Sequence, residues 1–467
     1  MMRVLEFVVA LIIVAVLAVV VGIAMPGSGH VERSLVIGKD MRQVYDVLNN
    51  FRRFPDYAEL SSSDPTIKYD FSGKAYGPGA EVSWDGAPKK AGDGKLTIAS
   101  ATPDFNTIDS RVKEAKIVWN LDSDWRGNDK HFTIDLERSG RTNKLTKVTW
   151  GYDVDYGWNL LNRYSNLYIH GAPDAFIQYS LTGLQNMLAS VKNVEYGDLV
   201  PYIVQTKPTP VLMVSTKIER EGGLDALSET TNDAVKLLKD TAKKLGVNVT
   251  GPRILVVSNY GDQTFTFDIA LPIDATTLTV GGESHDLTAV QKPTLPSDPA
   301  AAASSAAPAS AASTAAPAAA LAANAPGTTD KYGRLIIDQD VRATMMFGGP
   351  ALKGEWNGTY AGVPQTRDEL EAYAQTHGYK FDSVVNRFYD VLARPEQIDT
   401  DNNVTQYARY DVYLPLSEAP EQTPEQEAGI QPPTLDSDQA PAAAGSAAAP
   451  ATGASVDAPA EAASAGN

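Results

Sequence analysis

The amino-acid sequence predicts an α+β protein with an N-terminal transmembrane helix, an antiparallel sheet domain closed by a long helix, and a duplicated βαββ domain. Three observations support this fold class. Residues 7–25 form an uncharged apolar run, residues 31–193 contain many segments of period-two hydrophobicity, and residues 267–273 recur in similar form at 410–416. Strands grouped in runs, rather than alternating singly with helices, are typical of α+β proteins.

The first element, residues 1–30, is predicted to be a membrane anchor. Residues 7–25 are almost all Val, Ile, Leu and Ala, and as a helix they would span about 28 Å, close to the thickness of a bilayer's hydrocarbon core. A cleaved signal peptide is the alternative interpretation. It is disfavoured because Arg3 is balanced by Glu6, and because the bulky Met25 and then Pro26 follow the small residues that a peptidase would need.

The anchor also predicts a location. Arg3 at the amino terminus favours an inside position for that end, so we expect a single-pass protein of a bacterial-type inner (plasma) membrane. Its soluble part would then be periplasmic or otherwise extracytoplasmic.

Composition excludes several classes of function. The chain of 467 residues has a formal net charge of −17, which argues against a nucleic-acid partner because phosphate binding needs a basic face. The same charge argues against docking on anionic lipid headgroups. Cysteine is absent, so disulfides, thiolate metal sites and cysteine nucleophiles are excluded.

Two segments have compositions that do not support a packed core. Residues 275–330 contain long Ala/Ser/Pro stretches, including Ala300 to Ala320, and residues 417–467 form an acidic tail of similar composition. Both are predicted to be disordered. The remaining chain divides into a first block, residues 31–193, and a second block, residues 200–274 plus 331–416.

The first block begins with a predicted strand, Val31–Ile37, and a short helix capped by Asp40. A series of period-two strands follows, and an amphipathic helix from Pro173 to about Val191 closes the block. The predicted strands of the series are Ile67–Phe71, Ala80–Trp84, Leu96–Ala101, Thr107–Val112, Ile117–Leu121, Phe132–Leu136 and Leu145–Tyr156.

Aromatic residues concentrate on the inner faces of these elements. In the last strand Trp150 and Tyr152 share one face, while Asp153 and Asp155 share the other. Such faces either line an apolar ligand cavity or simply fill a core, and the alternation fits both interpretations equally. The candidate ligand-binding residues of this block are Trp84, Trp119, Trp150, Tyr152 and Phe176.

The order of elements in the first block resembles the START-like polyketide cyclase/dehydrase superfamily, or SRPBCC. The matching pieces are Ser34–Ile37, Val44–Leu48, Phe51–Tyr57, Gly77-Pro-Gly-Ala80 before Val82-Ser-Trp84, Gly92-Asp-Gly94 before a strand, and the closing helix. The resemblance implies a helix-grip fold around a deep hydrophobic cavity that binds lipids, polyketides or other apolar compounds. One departure is Gly38-Lys39-Asp40, where the family has a small residue and proline before the first helix.

The second block contains an internal repeat. Phe267-Asp-Ile-Ala-Leu-Pro-Ile273 matches Tyr410-Asp-Val-Tyr-Leu-Pro-Leu416. Each copy is preceded by a predicted strand, Val211–Ile218 or Val341–Phe347, and then by a helix that ends at Gly246 or Gly378. The second helix is predicted to begin at a capping box formed by Thr366 and Glu369.

This duplication resembles the GyrI-like small-molecule-binding domain, the effector domain of many multidrug-responsive transcription regulators. Gly251-Pro252 and Phe388-Tyr389 also fit. The resemblance implies a cleft between the two halves that binds hydrophobic, often cationic molecules beside an acidic residue. That residue would be Asp411, with Asp268 as its repeat mate, and Phe388, Tyr410 and Tyr413 would be its aromatic neighbours. Alternatively, both aspartates are ordinary solvent-facing strand positions.

The sequence nominates no catalytic machinery. The five histidines are scattered, none lies at helix spacing from another, and no phosphate loop, dinucleotide fingerprint or nucleophile elbow occurs. His131 and Asp135 are expected to face solvent. We therefore expect no cofactor and no metal.

The predicted function is that of a membrane-anchored protein that binds small apolar or amphipathic molecules for sensing, capture or transfer. The alternative is a hydrolase or cyclase acting on an apolar substrate in the helix-grip cavity. Transcription control is disfavoured because no helix-turn-helix or basic patch accompanies the domain.

Overall fold

The computed structural model describes residues 2–88, 90–103, 108, 111–196, 199, 201–260, 263–292, 325–401, 403–421 and 435–436. It confirms a mixed α+β protein with a curled antiparallel sheet and an apolar N-terminal helix, α1 (Met2–Ala24). Within the described chain, Glu6–Ala24 is the one helical stretch that is long and apolar enough to cross a membrane. Its large side chains are exposed, as expected of a helix with no protein neighbours over most of its length.

The first block is built on a seven-stranded antiparallel sheet with the order β1-β7-β6-β5-β4-β3-β2. Strands β2 to β7 pair in chain order, with β2 at one edge of the sheet. Strand β1 forms the other edge by pairing with β7, from Ser28↔Asp155 to Ile37↔Thr146. The strands are β1 (Ser28–Ile37), β2 (Lys68–Gly73), β3 (Ala80–Asp85), β4 (Asp93–Thr102), β5 (Glu114–Ser123), β6 (Asn128–Ser139) and β7 (Leu145–Asp155).

Each predicted strand of this block is present except Thr107–Val112, of which 107, 109 and 110 lie outside the described residues and 108, 111 and 112 are not in a strand. The predicted closing helix is present as α6 (Ala172–Ala189), and it packs on β1 and β7. The shorter helices are α2 (Met41–Leu48), capped by Asp40 as predicted, α3 (Phe54–Tyr57), α4 (Glu59–Ser63) and α5 (Leu160–Tyr164).

The second block is built on a ten-stranded sheet with the path β14-β15-β9-β11-β10-β17-β20-β16-β21, and β8 pairs with β16. Two small hairpins, β12–β13 and β18–β19, lie outside this path. The strands are β8 (Tyr202–Thr206), β9 (Thr209–Glu219), β10 (Ile254–Tyr260), β11 (Thr264–Pro272), β12 (Thr277–Val280), β13 (Glu283–Asp286), β14 (Leu335–Ile336), β15 (Val341–Met346), β16 (Gly349–Asn357), β17 (Tyr389–Arg394), β18 (Gln397–Ile398), β19 (Val404–Gln406), β20 (Arg409–Pro415) and β21 (Leu435–Asp436).

Two helices cover one face of this sheet. Helix α7 (Gly223–Leu245) packs on β9 and β11, and it ends at Gly246, whose φ of 71° is the left-handed conformation predicted for that glycine. Helix α8 (Val363–Thr376) packs on β16 and β20. The predicted capping box is wrong because α8 begins one turn earlier: the Thr366 hydroxyl donates to the carbonyl of Gly362 from inside the helix.

The strand that precedes α8 also differs from the prediction. Residues Val341–Met346 do form a strand, but it pairs with β9. The strand directly before α8 is β16, which pairs with β20 from Ala351↔Pro415 to Asn357↔Arg409. The six central strands therefore run in the order β9-β11-β10-β17-β20-β16.

The ends of the expected 275–330 insert are structured. Strands β12 and β13 form a hairpin, and Leu278 and Leu287 are buried against the second block. Residues 293–324, including Ala300–Ala320, lie outside the described residues, as do 422–434 and 437–467 of the expected tail.

The two blocks share one continuous hydrophobic core. Helix α2 of the first block packs on α8 of the second, and every residue of α2 is buried. The Tyr76 and Tyr379 hydroxyls lie 2.7 Å apart across this contact. The division predicted near residue 193 is therefore a packed interface.

Candidate ligand-binding site

The five aromatic candidates of the first block lie together inside the curled sheet. All are buried, and Trp119 and Trp150 have no exposed surface. The two indoles meet edge to face with ring centroids 5.2 Å apart, and Phe176 from α6 lies 6.0 Å from Trp150. The rings thus fill the space between sheet and helix by contacting one another, an arrangement that stabilises a core.

Rings that were not predicted complete this cluster. Phe132 stacks on Phe176 at 5.1 Å, and Trp125 lies edge-on to Tyr152 at 5.4 Å. Phe54 on α3 stacks on Trp84 at 6.4 Å. Trp125 lies on a loop and Phe54 on a short helix, so neither has a period-two signal. Phe132 lies on a predicted strand, β6, but was not among the candidate residues.

The four candidates of the second block do not face one space. Tyr410 and Asp411 are adjacent on β20 and therefore point to opposite faces of the sheet. Tyr410 packs toward α8, with its ring 5.4 Å from that of Tyr360, and Phe388 packs against the same main core. Tyr413 is on the other face, stacked on Tyr389 at 4.8 Å.

The charge of Asp411 is compensated by neighbouring cations. Lys353 Nζ lies 2.9 Å from its Oδ2, and Arg409 Nε donates to its Oδ1 at 3.1 Å. Glu355 shares both cations. This carboxylate is therefore not free to act as the counter-charge for a bound organic cation.

A cavity of about 490 Å³ lies on the sheet face opposite α7 and α8. Its floor comes from alternate strand positions such as Met213 and Tyr389, which belong to a small apolar cluster separate from the main core. The apolar part of its wall is formed chiefly by Met213, Val256, Met345, Met346, Phe347 and Tyr389. This volume and lining fall within the range of small-molecule sites.

Asp268, the repeat mate of Asp411, lies in the wall of this cavity. It is buried and accepts a hydrogen bond of 2.5 Å from the Ser215 hydroxyl. Arg334 and Arg387 approach its Oδ2 at 3.6 and 3.9 Å. One carboxylate therefore faces two guanidiniums in the wall of a mostly apolar space.

The aromatic ring of Tyr332 contacts the guanidinium groups of both arginines. The guanidinium carbons of Arg334 and Arg387 lie 5.1 and 5.6 Å from the centre of its ring. These distances are typical of cation–π contacts. Arg334 Nε also donates to Asp330 at 2.7 Å, whereas the hydrogen bonds of Arg387 to other described residues go to neutral oxygens, those of Ser258 and Val384. Arg387 is thus the cation with the weaker carboxylate contact.

Sequence reasoning missed most of this cavity because its wall comes from segments far apart in the chain. Residues 208–213, 289–290, 332–334, 344–348 and 385–387 all contribute. One signal was available in the sequence: the repeat aligns Asp268 with Asp411, and both were predicted to lie on strands. In the part of the chain that the structure describes, no group of three or more His, Asp or Glu is arranged to hold a metal ion.

Comparison with known proteins gave no family. No family model matches the chain, and no curated protein matches it. Solved structures similar to part of it include a hypothetical protein from Helicobacter pylori (10% identity, TM-score 0.25) and the protein XoxI from Bacillus cereus (12%, 0.24). A protein from Nitrosospira multiformis matches at 16% identity and a TM-score of 0.24. The three matches cover 34%, 35% and 34% of this chain, and 86%, 96% and 97% of the respective structures.

Proposed function

We propose that the protein is a membrane-anchored binding protein that captures a small amphipathic molecule in the cavity of its second block. The observation that carries this proposal is the combination, in one space of about 490 Å³, of a mostly apolar wall with an Arg–Asp–Arg cluster within it. An apolar body would displace water from the methionine-rich wall. A polar head would bond to the charged cluster.

The charges of the site favour a head that accepts hydrogen bonds. Asp268 already accepts a hydrogen bond from the Ser215 hydroxyl and faces two guanidiniums, so it offers an organic cation no unpaired carboxylate. Arg387 still has donor capacity, because its one carboxylate contact within the described part of the chain is 3.9 Å long. The proposed ligand is therefore neutral or anionic at its polar end, in contrast to the cation expected at Asp411.

We further propose that the second block is a duplicated βαββ domain of the GyrI-like type. The two units would be β9-α7-β10-β11 and β16-α8-β17-β20, and the strand order β9-β11-β10-β17-β20-β16 supports this because it reads the same from both ends. The position of α7 and α8 on the same face of the sheet also supports the duplication. The first block would be a START-like helix-grip domain whose aromatic cluster fills the space between sheet and helix.

We also propose a cellular location for the protein. Helix α1 would span a bacterial-type inner membrane once, with both blocks on the extracytoplasmic side. A carbonate wash of native membranes should leave the protein in the pellet with its amino terminus intact. A soluble form beginning near residue 25 would contradict the anchor.

Calorimetric titration of the full chain in lipid nanodiscs tests the binding site, with empty nanodiscs as the reference. Naphthoate, naphthylmethanol and naphthylmethylammonium share one ring system and differ in head charge. We expect saturable binding in the order naphthoate, alcohol, ammonium. Met346→Trp, which fills the cavity, should abolish binding, and Arg387→Gln should remove the preference for the anion while keeping the alcohol bound.

The matched control is Arg409→Gln, which alters the charge cluster around Asp411 rather than the cavity. It should leave all three affinities unchanged. If Arg409→Gln weakens binding and Met346→Trp does not, the cavity is not the site. If both variants retain binding, we would conclude that the ligand binds in the first block.

A further inference from the structure

The end of α1 is held by helix α5 of the first block. Arg163 Nη1 donates to the carbonyl of Ile23 at 3.0 Å and to that of Met25 at 3.4 Å. The Tyr164 hydroxyl donates to the carbonyl of Ala18. Two side chains of one short helix therefore contact the last two turns of the anchor.

The length of the anchor determines the depth of this contact. Ala18 lies six residues before Ala24, about 9 Å along a helix. The apolar stretch Glu6–Ala24 has 19 residues, about 28 Å, which just matches a hydrocarbon core of about 30 Å. If the bilayer ended at Ala18, the remaining helix would span only about 20 Å. The last two turns, and α5 with them, must therefore lie within the membrane.

The surface around α5 suits that depth. Trp158, Leu161, Leu167 and Tyr168 are 83%, 69%, 64% and 74% exposed. Tryptophan and tyrosine are enriched at the level of lipid headgroups, and leucine is favourable among acyl chains. Between positions 157 and 169 the sequence contains no Asp, Glu or Lys, and Arg163 is its single arginine. It is buried, with its guanidinium over the Trp158 ring at 4.7 Å and its Nε donating to the carbonyl of Gly157.

We propose that residues 158–168 are embedded in the outer half of the bilayer beside α1, with Trp158, Leu161, Leu167 and Tyr168 in contact with lipid. This inference rests on the proposed membrane anchoring. The partner is the lipid itself. Because the large exposed side chains of this segment are apolar or aromatic and the chain is acidic, insertion depends on apolar burial and is insensitive to salt and to anionic lipid.

A spin-label experiment on the full chain tests the depth. The protein has no cysteine, so Leu161→Cys and Leu167→Cys each carry one nitroxide without background labelling. Leu145→Cys is the matched control, since it is an exposed leucine at the opposite end of β7, about 34 Å from Asp155. In phosphatidylcholine nanodiscs we expect labels at 161 and 167 to collide mainly with dissolved oxygen, and the label at 145 mainly with a water-soluble nickel chelate.

Trp158 provides a second readout that needs no label. Bromine on the lipid acyl chains should quench part of the wild-type fluorescence, and Trp158→Phe should remove most of that quenched part. The proposal is overturned if positions 161 and 167 resemble 145 and the quenching is the same in Trp158→Phe. The carbonate wash separates the two possible failures: retention in the pellet would leave the anchor intact and remove only the embedding of residues 158–168.

Discussion

The hydroxyl of Tyr196 donates to the buried carboxylate of Asp46 at 3.0 Å. The same hydroxyl lies 2.7 Å from that of Thr376 at the end of α8. Burial raises the pKa of Tyr196 well above its ordinary value, so the donor stays protonated. This bond connects α2, the segment between the blocks, and α8, and it shows why the first block cannot be cut off at residue 193 without exposing a buried carboxylate.

Removing this donor should destabilise both blocks together. Tyr196→Phe leaves Asp46 without one of its hydrogen bonds, and we expect a loss of about 1–3 kcal/mol of unfolding free energy in urea denaturation. Tyr179→Phe, at an exposed tyrosine of α6, is the control and should change little. Separate transitions for the two blocks in wild type would contradict a shared core.

The ion pair between Arg33 and Asp174 should make stability depend on acid pH. Two hydrogen bonds of 2.7 Å from Arg33 hold the pKa of Asp174 below its ordinary value. Because the folded pKa is the lower one, the stabilisation is complete above the unfolded value of about 3.9 and is lost as the pH falls through the folded value.

Asp174→Asn should therefore melt below wild type at pH 7, and the difference in melting temperature should shrink as the pH falls below about 4. Thermal melts followed by circular dichroism across that range measure it. Asp135→Asn, at a half-exposed pair with Lys116, serves as the surface control. A difference that stays constant with pH would show that Asp174 acts only through packing.

The boundaries of the insert can be tested by two deletions. Removing residues 293–324 and joining 292 to 325 with a short Gly/Ser linker should leave the melting temperature nearly unchanged, since closing a surface loop costs little entropy. Removing all of 275–330 also deletes buried Leu278 and Leu287, each worth about 2–5 kcal/mol. It removes two lining residues of the cavity, Ala289 and Val290, as well. Equal melting temperatures for the two deletions would refute this boundary.

Trp150 should behave as a core residue. Its ring has no exposed surface and contacts three others, so Trp150→Ala should cost about 3–5 kcal/mol in urea denaturation. Binding of naphthoate to the second block should survive under conditions where the variant stays folded. A stable variant with altered binding would instead place the ligand in the first block.

The first block could be predicted well because its strands have one buried face. On β7 the alternation of Trp150 and Tyr152 with Asp153 and Asp155 predicts that both rings lie on the inner face, and in the structure both rings are buried. On β20 the same pattern fails, because Val412 packs toward α8 while Tyr413 packs on Tyr389 of the other face. When both faces of a strand are covered, period-two hydrophobicity does not tell which face lines a cavity.

The sequence repeat did not predict the electrostatics around its two aspartates. It placed Asp268 and Asp411 at equivalent strand positions, yet Ser215, Arg334 and Arg387 surround the first, whereas Lys353 and Arg409 surround the second. Arg334 follows the long insert and Arg387 lies in a loop, so no local pattern connects either one with Asp268. Such contacts depend on tertiary packing alone.

The clamp of Arg163 on the carbonyls of Ile23 and Met25 has a mechanical consequence. A domain tethered by a flexible linker can rotate and tilt over a bilayer, but here the chain passes from α1 to β1 through only three residues, Met25 to Gly27, and the first of them accepts a hydrogen bond from Arg163 of α5. If α1 spans the bilayer as proposed, rotating the first block about the membrane normal would require α1 to rotate with it. The distance and orientation of the cavity relative to the lipid surface would then be fixed by the helix, and a rotation of either part would be transmitted to the other.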